Sequence, residues 1–452
     1  MSNETRELAA FATGLRYEDI PPAVVRRAKD CLIDTVAVCL YGHQAPWVPQ
    51  LIAYLASAPV GSAEVIGASM SGLNAESAAF ANGVLAHSLE LDSLRQPGAG
   101  VHPGATLGCA ALACAQETGA SGRDVIVAFV AGCEVLFRVG RATKHSAEGR
   151  GFHAPGLTGP FGSATVAARL LGLDADALAR AYGIAGSLCG GLMEFAHSGE
   201  GGFVKRLHLG RSAESGVTAA RLAKAGLGGP TTILEGAKGM LACYCAEYDV
   251  SLLTEGLGKE WETERICFKR YPCHITAHTV VRAIEVLKAE LLKAEHGFKA
   301  EDVASVTIDG SARMRDVNGK RQPADLTMAT YSIPFCAAVA LERDPLDPDN
   351  FGAGALDDAS QRALRERIEV ISTRDGGHAS WETTTRITLR DGRTLERHQA
   401  DFPGTPGVPL ERADLRAKFD ALTRRVDRGA AQRLFERLDR LETQPAVGWL
   451  LP

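Results

Sequence analysis

The chain lacks four features, and each absence removes a class of function. It has no run of basic residues: 49 Lys and Arg are scattered among 54 Asp and Glu, for a net charge of -5. That leaves no electrostatic footprint for nucleic acid. It has no long apolar run. Stretches such as Asp124-Val-Ile-Val-Ala-Phe-Val-Ala-Gly-Cys-Glu134 are short and acid-bounded, and Met-Ser-Asn-Glu-Thr-Arg-Glu at the start lacks the basic end and apolar core of a signal peptide. No membrane partner is therefore expected, and a cytoplasmic location is the default. The cysteines lack ligand spacing. There are eleven, mostly in apolar contexts such as Cys31, Cys39, Cys109, Cys114 and Cys133, while Cys243 and Cys245 are two apart and Cys267 and Cys273 six apart. Buried reduced thiols and no structural metal are the expectation. Finally, no Gly-x-x-x-x-Gly-Lys-Ser/Thr loop is present to cradle a nucleotide phosphate.

What is present suits a soluble enzyme. At 452 residues and 46% hydrophobic content the chain can fill two or more domain cores. Up to about residue 260 it reads as successive helices: Ile20 to Gly42, Ala75 to Leu91, Ala105 to Gln116, Gly122 to Gly140, Gly159 to Leu171, Ala175 to Cys189 and Arg211 to Ala225. Their Ala, Gly, Ser and Cys faces serve either close packing or a dimer surface. After Arg265 the pattern changes. Val303 to Asp309 and Ile368 to Thr373 read as strands, and Thr383 to Arg397 as a hairpin closed by Asp391-Gly392, with helices at Ile275 to His296 and Pro334 to Leu341. The expected fold is mainly α: a helical domain over 1–264, a smaller α+β domain over 265–400, and C-terminal helices over 401–452 that return to the first domain.

Four junctions carry the chemistry. His87-Ser-Leu-Glu90-Leu-Asp92 leads through a Pro/Gly turn to Val-His102-Pro-Gly-Ala. Arg150-Gly-Phe-His153 opens a small-residue helix. Val204-Lys205-Arg206-Leu-His208-Leu-Gly210 and Phe268-Lys269-Arg270-Tyr-Pro-Cys-His274 place cations before further helices. Imidazoles that titrate near neutrality, acids and cations are the equipment for moving a proton next to a carboxylate and stabilising the charge that develops. Four such junctions point to one site. Glu90 and Asp92, two apart near the end of an apolar helix, do not share one face. Arg206 and Arg270 read as solvated.

In order, these segments resemble the MmgE/PrpD family, which contains 2-methylcitrate dehydratases, cis-aconitate decarboxylases and an iminodisuccinate epimerase. The resemblance runs from about Glu7 to the C-terminus. It implies an α+β lid over a helical domain, a site in the cleft between them, and a homodimer. It also implies catalytic roles for His102, His153, Lys269 and Glu90, and substrate contacts for Asp92, Lys205, His208 and Tyr331. The expected activity is that of a lyase, a decarboxylase or dehydratase of a small di- or tricarboxylate, with neither metal nor cofactor. An epimerase of an iminodisuccinate-like acid, a non-catalytic carboxylate-binding protein and a metal-dependent hydro-lyase with ligands among residues 87, 90, 92 and 102 are the alternatives. The chain departs from the family in three places. Relatives carry Asp-Phe-Asp-Asp-Thr where this chain has Glu90-Leu-Asp92-Ser-Leu94. They place a Tyr where it has Phe335, with Tyr331 one turn earlier. Dehydratases of 2-methylcitrate carry Glu-Trp-Gly-His-Pro-Ser-Asp-Asn where it has Gly98-Ala-Gly-Val-His102-Pro-Gly-Ala, which disfavours that substrate.

Overall fold

Glycine sets how closely the helices before residue 260 approach one another. In the computed structural model, which describes residues 3–68, 70–196, 201–293, 298–373 and 381–449, the helix Val204–Lys224 lies against Ala75–Ala86 and Ala154–Leu170. A Cβ on Gly83 would stand 2.8 Å from the Gly210 Cα, and one on Gly159 would stand 2.6 Å from the Ser212 Cβ. Backbones that close leave no room to slide, so the helix bearing Lys205, Arg206 and His208 has one seat. Asn74 caps Ala75–Ala86 through the Ser77 N–H, and Ser121 with Asp124 forms a capping box on Gly122–Ala142.

Several boundaries differ from the sequence expectation. The helix expected to reach Leu91 stops at Ala86. Beyond it the side chains of His87, Glu90 and Asp92 are buried, and their partners lie off the helix axis. The helix expected from Gly159 starts at Ala154, with Pro155 in its first turn and Pro160 inside it; the second proline reads as a start only when the first is overlooked. The helix expected from Arg211 begins at Val204. Ala105 to Gln116 divides into a π-helical turn, Gly104–Gly108, and the α-helix Cys109–Thr118. The helical part also holds a short antiparallel hairpin, Val60–Val65 with Met70–Leu73, whose exposed, Gly-interrupted strands carry little periodic signal.

The α+β part has its own core, built on a four-stranded sheet. Strand Val303–Asp309 pairs in parallel with Ile368–Ile371 on one side and antiparallel with Thr383–Leu389 on the other, and Thr394–Gln399 completes the edge. Gly392, at φ 90°, turns the hairpin. Helices His278–Leu292 and Ile333–Glu342 pack on this unit, and Val306, Ile308, Ile368 and Ile387 meet Val280, Ile284, Phe335 and Val339 in one cluster. The helix expected over Ile275 to His296 opens as a 3₁₀ turn, Ile275–Ala277, and residues 294–297 lie outside the described residues.

The chain then comes back. Helices Arg412–Leu422 and Arg428–Asp439 pack on Pro22–Gly42 and share the core of the helical part. Lys418 pairs with the buried Asp34 and donates to the Leu91 carbonyl at 2.8 Å. At the crossing between the two parts, the Phe268 N–H donates to the Gly404 carbonyl at 2.9 Å. Gly404 sits at φ 122°, and a Cβ there would fall on the Phe268 carbonyl. The eleven cysteines are free thiols, nine of them buried. No helix of the described residues is long and apolar enough to cross a membrane.

Candidate active site

Three of the four junctions meet at Asp92 and Glu90, and the fourth joins them through the contact of His153 with His208. A two-residue ladder, Leu94–Arg95 with Ile266–Cys267, brings the segment after Asp92 beside the segment before Lys269. Asp92 is 1% exposed and accepts from two imidazoles, His87 Nδ1 at 2.9 Å and His102 Nδ1 at 2.7 Å. Burial would raise its pKa, but His87, His102 and Lys269 together hold it well below the ordinary value. An ionised carboxylate only accepts, so each imidazole carries its proton on Nδ1. The tautomer of His102 is thereby set, and its Nε2 carries a lone pair whenever the ring is neutral. Just past His102 the chain runs through the π-helical turn Gly104–Gly108, a form common at functional positions.

Glu90 adopts φ 55°, left-handed backbone that is unusual for a residue with a side chain. Its surroundings hold it there. Lys205 and Arg206 donate to Oε1, Arg206 at 2.7 Å, and Lys269 donates to Oε2 at 2.9 Å. Burial opposes the charge on Glu90, yet Lys205, Lys269 and Arg206 keep its pKa well below the usual carboxylate range. The two lysines respond differently. Burial outweighs Glu90 at Lys205 and brings it down to about 8, whereas Lys269, which also faces Asp92 at 3.6 Å, is raised. Glu90 and Asp92 thus converge on Lys269, contrary to the expectation that they point apart, because the helix ends before either of them. Arg206, expected to be solvated, is 2% exposed, since Glu90 lies over the first turn of its helix.

His153 is the N-cap residue of Ala154–Leu170, and His208 sits one turn along from Lys205. Their Nδ1 atoms are 2.9 Å apart, with the Phe195 ring edge-on to both. Burial lowers His208 to about 4 and His153 well below its ordinary value. Both are neutral at pH 7, so one Nδ1 donates and the other accepts, and the two rings hold opposite tautomers. The pair offers one Nε2–H and one Nε2 lone pair.

The α+β part adds His274 and Tyr331. The His274 N–H donates to the Thr330 carbonyl at 2.8 Å, which stacks its ring on Tyr331, centroids 4.3 Å apart, while the Lys205 Nζ lies 4.8 Å from the Tyr331 centroid. Burial keeps His274 neutral, and Lys205, Lys269 and Arg313 add to the effect. Phe335 lies in the α+β core against Phe351, so the aromatic ring at this site is Tyr331. Arg313 is half-buried and has no ion-pair partner among the described residues. On the other side of His102, His145 Nδ1 and Glu148 Oε2 stand 3.9 Å apart beside Gly98 and Gly100.

Leaving the imidazoles out of the count, four cations, Lys205, Arg206, Lys269 and Arg313, outnumber the three acids Glu90, Asp92 and Glu148, so the cluster is net positive. His87, Asp92 and His102 have donor atoms within 4.8 Å of one another, a spacing a divalent ion can use. An ion there would break both imidazole bonds to Asp92 and stand against the Lys269 ammonium. The set fits protons better than a dication.

Residues 6–253 match the MmgE/PrpD N-terminal domain, and residues 271–442 match the MmgE/PrpD C-terminal domain. The chain belongs to the MmgE/PrpD family. Among its MmgE/PrpD relatives, a cis-aconitate decarboxylase-like protein of Aspergillus oryzae is 28% identical over 99% of this chain and 96% of its own length. The cis-aconitate decarboxylase of Mus musculus is 27% identical over 98% and 91%, and that of Aspergillus terreus 30% over 75% and 72%.

The eight residues singled out in the sequence all lie in or around this cluster. His87 was named in the sequence only as a possible metal ligand, His274 stood in a quoted motif without a role, and Arg206 had been set aside. Arg313, His145 and Glu148 sit in no recognisable pattern, and only the fold brings them here.

Proposed function

We propose that this MmgE/PrpD protein is a lyase that decarboxylates a cis-aconitate-like tricarboxylate. The observation that carries the reading is the combination of imidazoles locked in defined tautomers with a net positive cleft. Names of the relatives support the substrate class.

In this reading the substrate's carboxylates lie against Lys205, Lys269 and Arg313. The bond to the departing carboxylate breaks, carbon dioxide leaves, and the electron pair passes into the neighbouring unsaturated acid, whose developing charge the cations stabilise. The Nε2–H of the His153–His208 pair then delivers a proton to carbon, and His102 Nε2 takes up or returns protons as the cycle needs. Tyr331 flanks the substrate opposite His274. The sequence reading makes Asp92 a substrate contact and Glu90 catalytic. Both oxygens of Asp92 are occupied by imidazoles and both of Glu90 by cations, so we assign them positioning roles. No step calls on a cofactor. The reading includes a cytoplasmic homodimer and a division of the chain at residues 264 and 400.

A second reading rests on the separate origins of His102 and the His153–His208 pair. A base and an acid approaching one carbon from different junctions suit an epimerase of an iminodisuccinate-like acid. Proton NMR in deuterated buffer with cis-aconitate, citrate, 2-methylcitrate and iminodisuccinate, repeated with His102→Ala, tests both. Carbon dioxide loss from cis-aconitate that the substitution abolishes supports the lyase. Deuterium exchange into an unchanged skeleton supports the epimerase, and binding without turnover would reject both in favour of a carboxylate-binding protein.

A further inference from the structure

The backbone that presents Glu90 and Asp92 is held at a single point. Among the described residues, the main chain of Glu90, Leu91 and Asp92 takes part in one hydrogen bond, from the Lys418 ammonium to the Leu91 carbonyl at 2.8 Å. Glu90, at φ 55°, has a conformation that a residue with a side chain keeps only where its surroundings impose it. Lys418 belongs to the helix Arg412–Leu422 and is not one of the residues around the cleft. Its side chain is 9% exposed, and the ammonium also pairs with Asp34, 1% exposed, at 2.5 Å.

The same helix holds the opposing segment. Asp414, one turn before Lys418, accepts from the Arg270 Nη1 at 2.8 Å, and Arg270 is the residue after Lys269. Side chains four apart share one face of a helix, about 6 Å apart along its axis. One rigid element therefore grips Leu91, which lies between Glu90 and Asp92, and Arg270, which adjoins Lys269. Between these two grips the Lys269 ammonium meets Glu90 at 2.9 Å and Asp92 at 3.6 Å. The helix is itself seated, since it packs on Pro22–Gly42, Arg412 pairs with Asp30, and the second Asp414 oxygen accepts from the Glu411 N–H at 3.3 Å. A displacement of about 1 Å from outside a site can cost about 10²-fold in rate.

We propose that Lys418 and Asp414 are positioning residues, which hold the Glu90–Asp92 segment and the Lys269–Arg270 segment at the separation their ion pairs require and touch no substrate. Their effect on turnover rests on the lyase reading above; their effect on the geometry of the cluster does not.

Lys418→Met removes the ammonium but leaves Asp34 buried without its partner, so it is made together with Asp34→Asn. Asp34→Asn alone is the control that keeps the bond to Leu91, and Asp414→Ala, at a half-buried position, frees Arg270. Two measurements are made: steady-state kinetics on cis-aconitate, and NMR spectra of isotope-labelled histidines, which read the tautomers of His87 and His102 against Asp92 whether or not the protein turns anything over. The double variant should show a kcat about 10- to 100-fold below wild type with KM within about threefold, and Asp414→Ala a kcat about tenfold lower. The His87 and His102 signals should be displaced in both. Asp34→Asn should melt at a lower temperature and keep wild-type kcat and histidine signals. Unmoved histidine signals in Asp414→Ala and in the folded double variant would overturn the proposal. So would equal losses in Asp34→Asn, because Lys418 would then act only through its ion pair. Should the wild type leave cis-aconitate intact, the lyase reading falls, while histidine signals displaced in the double variant and not in Asp34→Asn still support the positioning role.

Discussion

Replacing Asp92 by Asn isolates the part of the site that sets protonation. The carboxylate has two acceptor oxygens, on His87 at 2.9 Å and His102 at 2.7 Å. The amide has one acceptor oxygen and one NH₂ donor. One imidazole can keep its Nδ1–H donor. The other must accept from the amide and carry its proton on Nε2 instead. If that ring is His102, the lone pair facing the cleft is lost; if it is His87, His102 keeps its tautomer but loses an anionic partner. General acid–base catalysis contributes about 10²–10⁴-fold, roughly 2.7–5.5 kcal/mol of barrier, and the lower part of that range covers a correct tautomer without its charge. The expected result for Asp92→Asn is a kcat about 10²–10⁴-fold below wild type with KM within about threefold, because the side chain touches imidazoles and not substrate. Steady-state kinetics on cis-aconitate measures this, with thermal melting to show that the protein is folded. A folded Asp92→Asn protein that turns over within about threefold of wild type would refute the reasoning.

Glu90→Gln leaves Lys205, Arg206 and Lys269 without their shared anion, and breaking a buried pair from one side costs about 3–5 kcal/mol; a denaturation midpoint equal to wild type would contradict this. His87 is lowered to about 3 and His208 to about 4 from an ordinary 6.5. Between those values the unfolded chain binds protons that the folded protein does not. Stability therefore falls as pH drops from 6.5 toward 4, by at most about 1.4 kcal/mol per pH unit for each fully buried histidine and by less for the partly exposed His208. Melting temperatures across that range, with a shallower slope in His208→Gln, provide the measurement. Arg313→Gln removes one charged contact to a substrate carboxylate, worth about 1.5–3 kcal/mol; the expectation is KM raised about 10- to 100-fold with kcat less affected, and an unchanged KM counts against the assignment. Gly210→Ala drives a methyl group onto the Phe80 carbonyl and should cost about 1–3 kcal/mol, read as a lower melting temperature.

Much of the site was legible because its residue types are rare in the settings where they occur. A histidine between Val101 and Pro103, another at the mouth of an Ala/Gly helix, and lysines at the starts of two segments stand out, and His102, His153, Lys205 and Lys269 do meet. The strands after residue 300 were legible from alternation and from Asp391-Gly392. Arg206 was missed because a Lys-Arg pair in a first turn resembles a solvated face whenever the anion that covers it comes from 116 residues away. Arg313 was missed because Ser-Ala-Arg-Met-Arg contains nothing periodic or catalytic in type. The end of the Ala75–Ala86 helix was misplaced because Leu89 and Leu91 continue the apolar spacing into a segment whose conformation is decided by buried ion pairs. Periodicity reports what is buried, and long-range electrostatics decided what was helical.

The crossing at Phe268 and Gly404 has a mechanical consequence. The α+β unit is an insertion whose outgoing and returning segments are fastened to each other where they leave the helical body, with a second tie from Asp349 to Tyr41, Arg424 and Arg425. Lys269 is the next residue beyond Phe268, and its ammonium holds Glu90 and faces Asp92. Swinging the insertion outward would carry His274 and Tyr331 away together and pull on the Lys269 ion pair, so opening the cleft and disarming it are one motion.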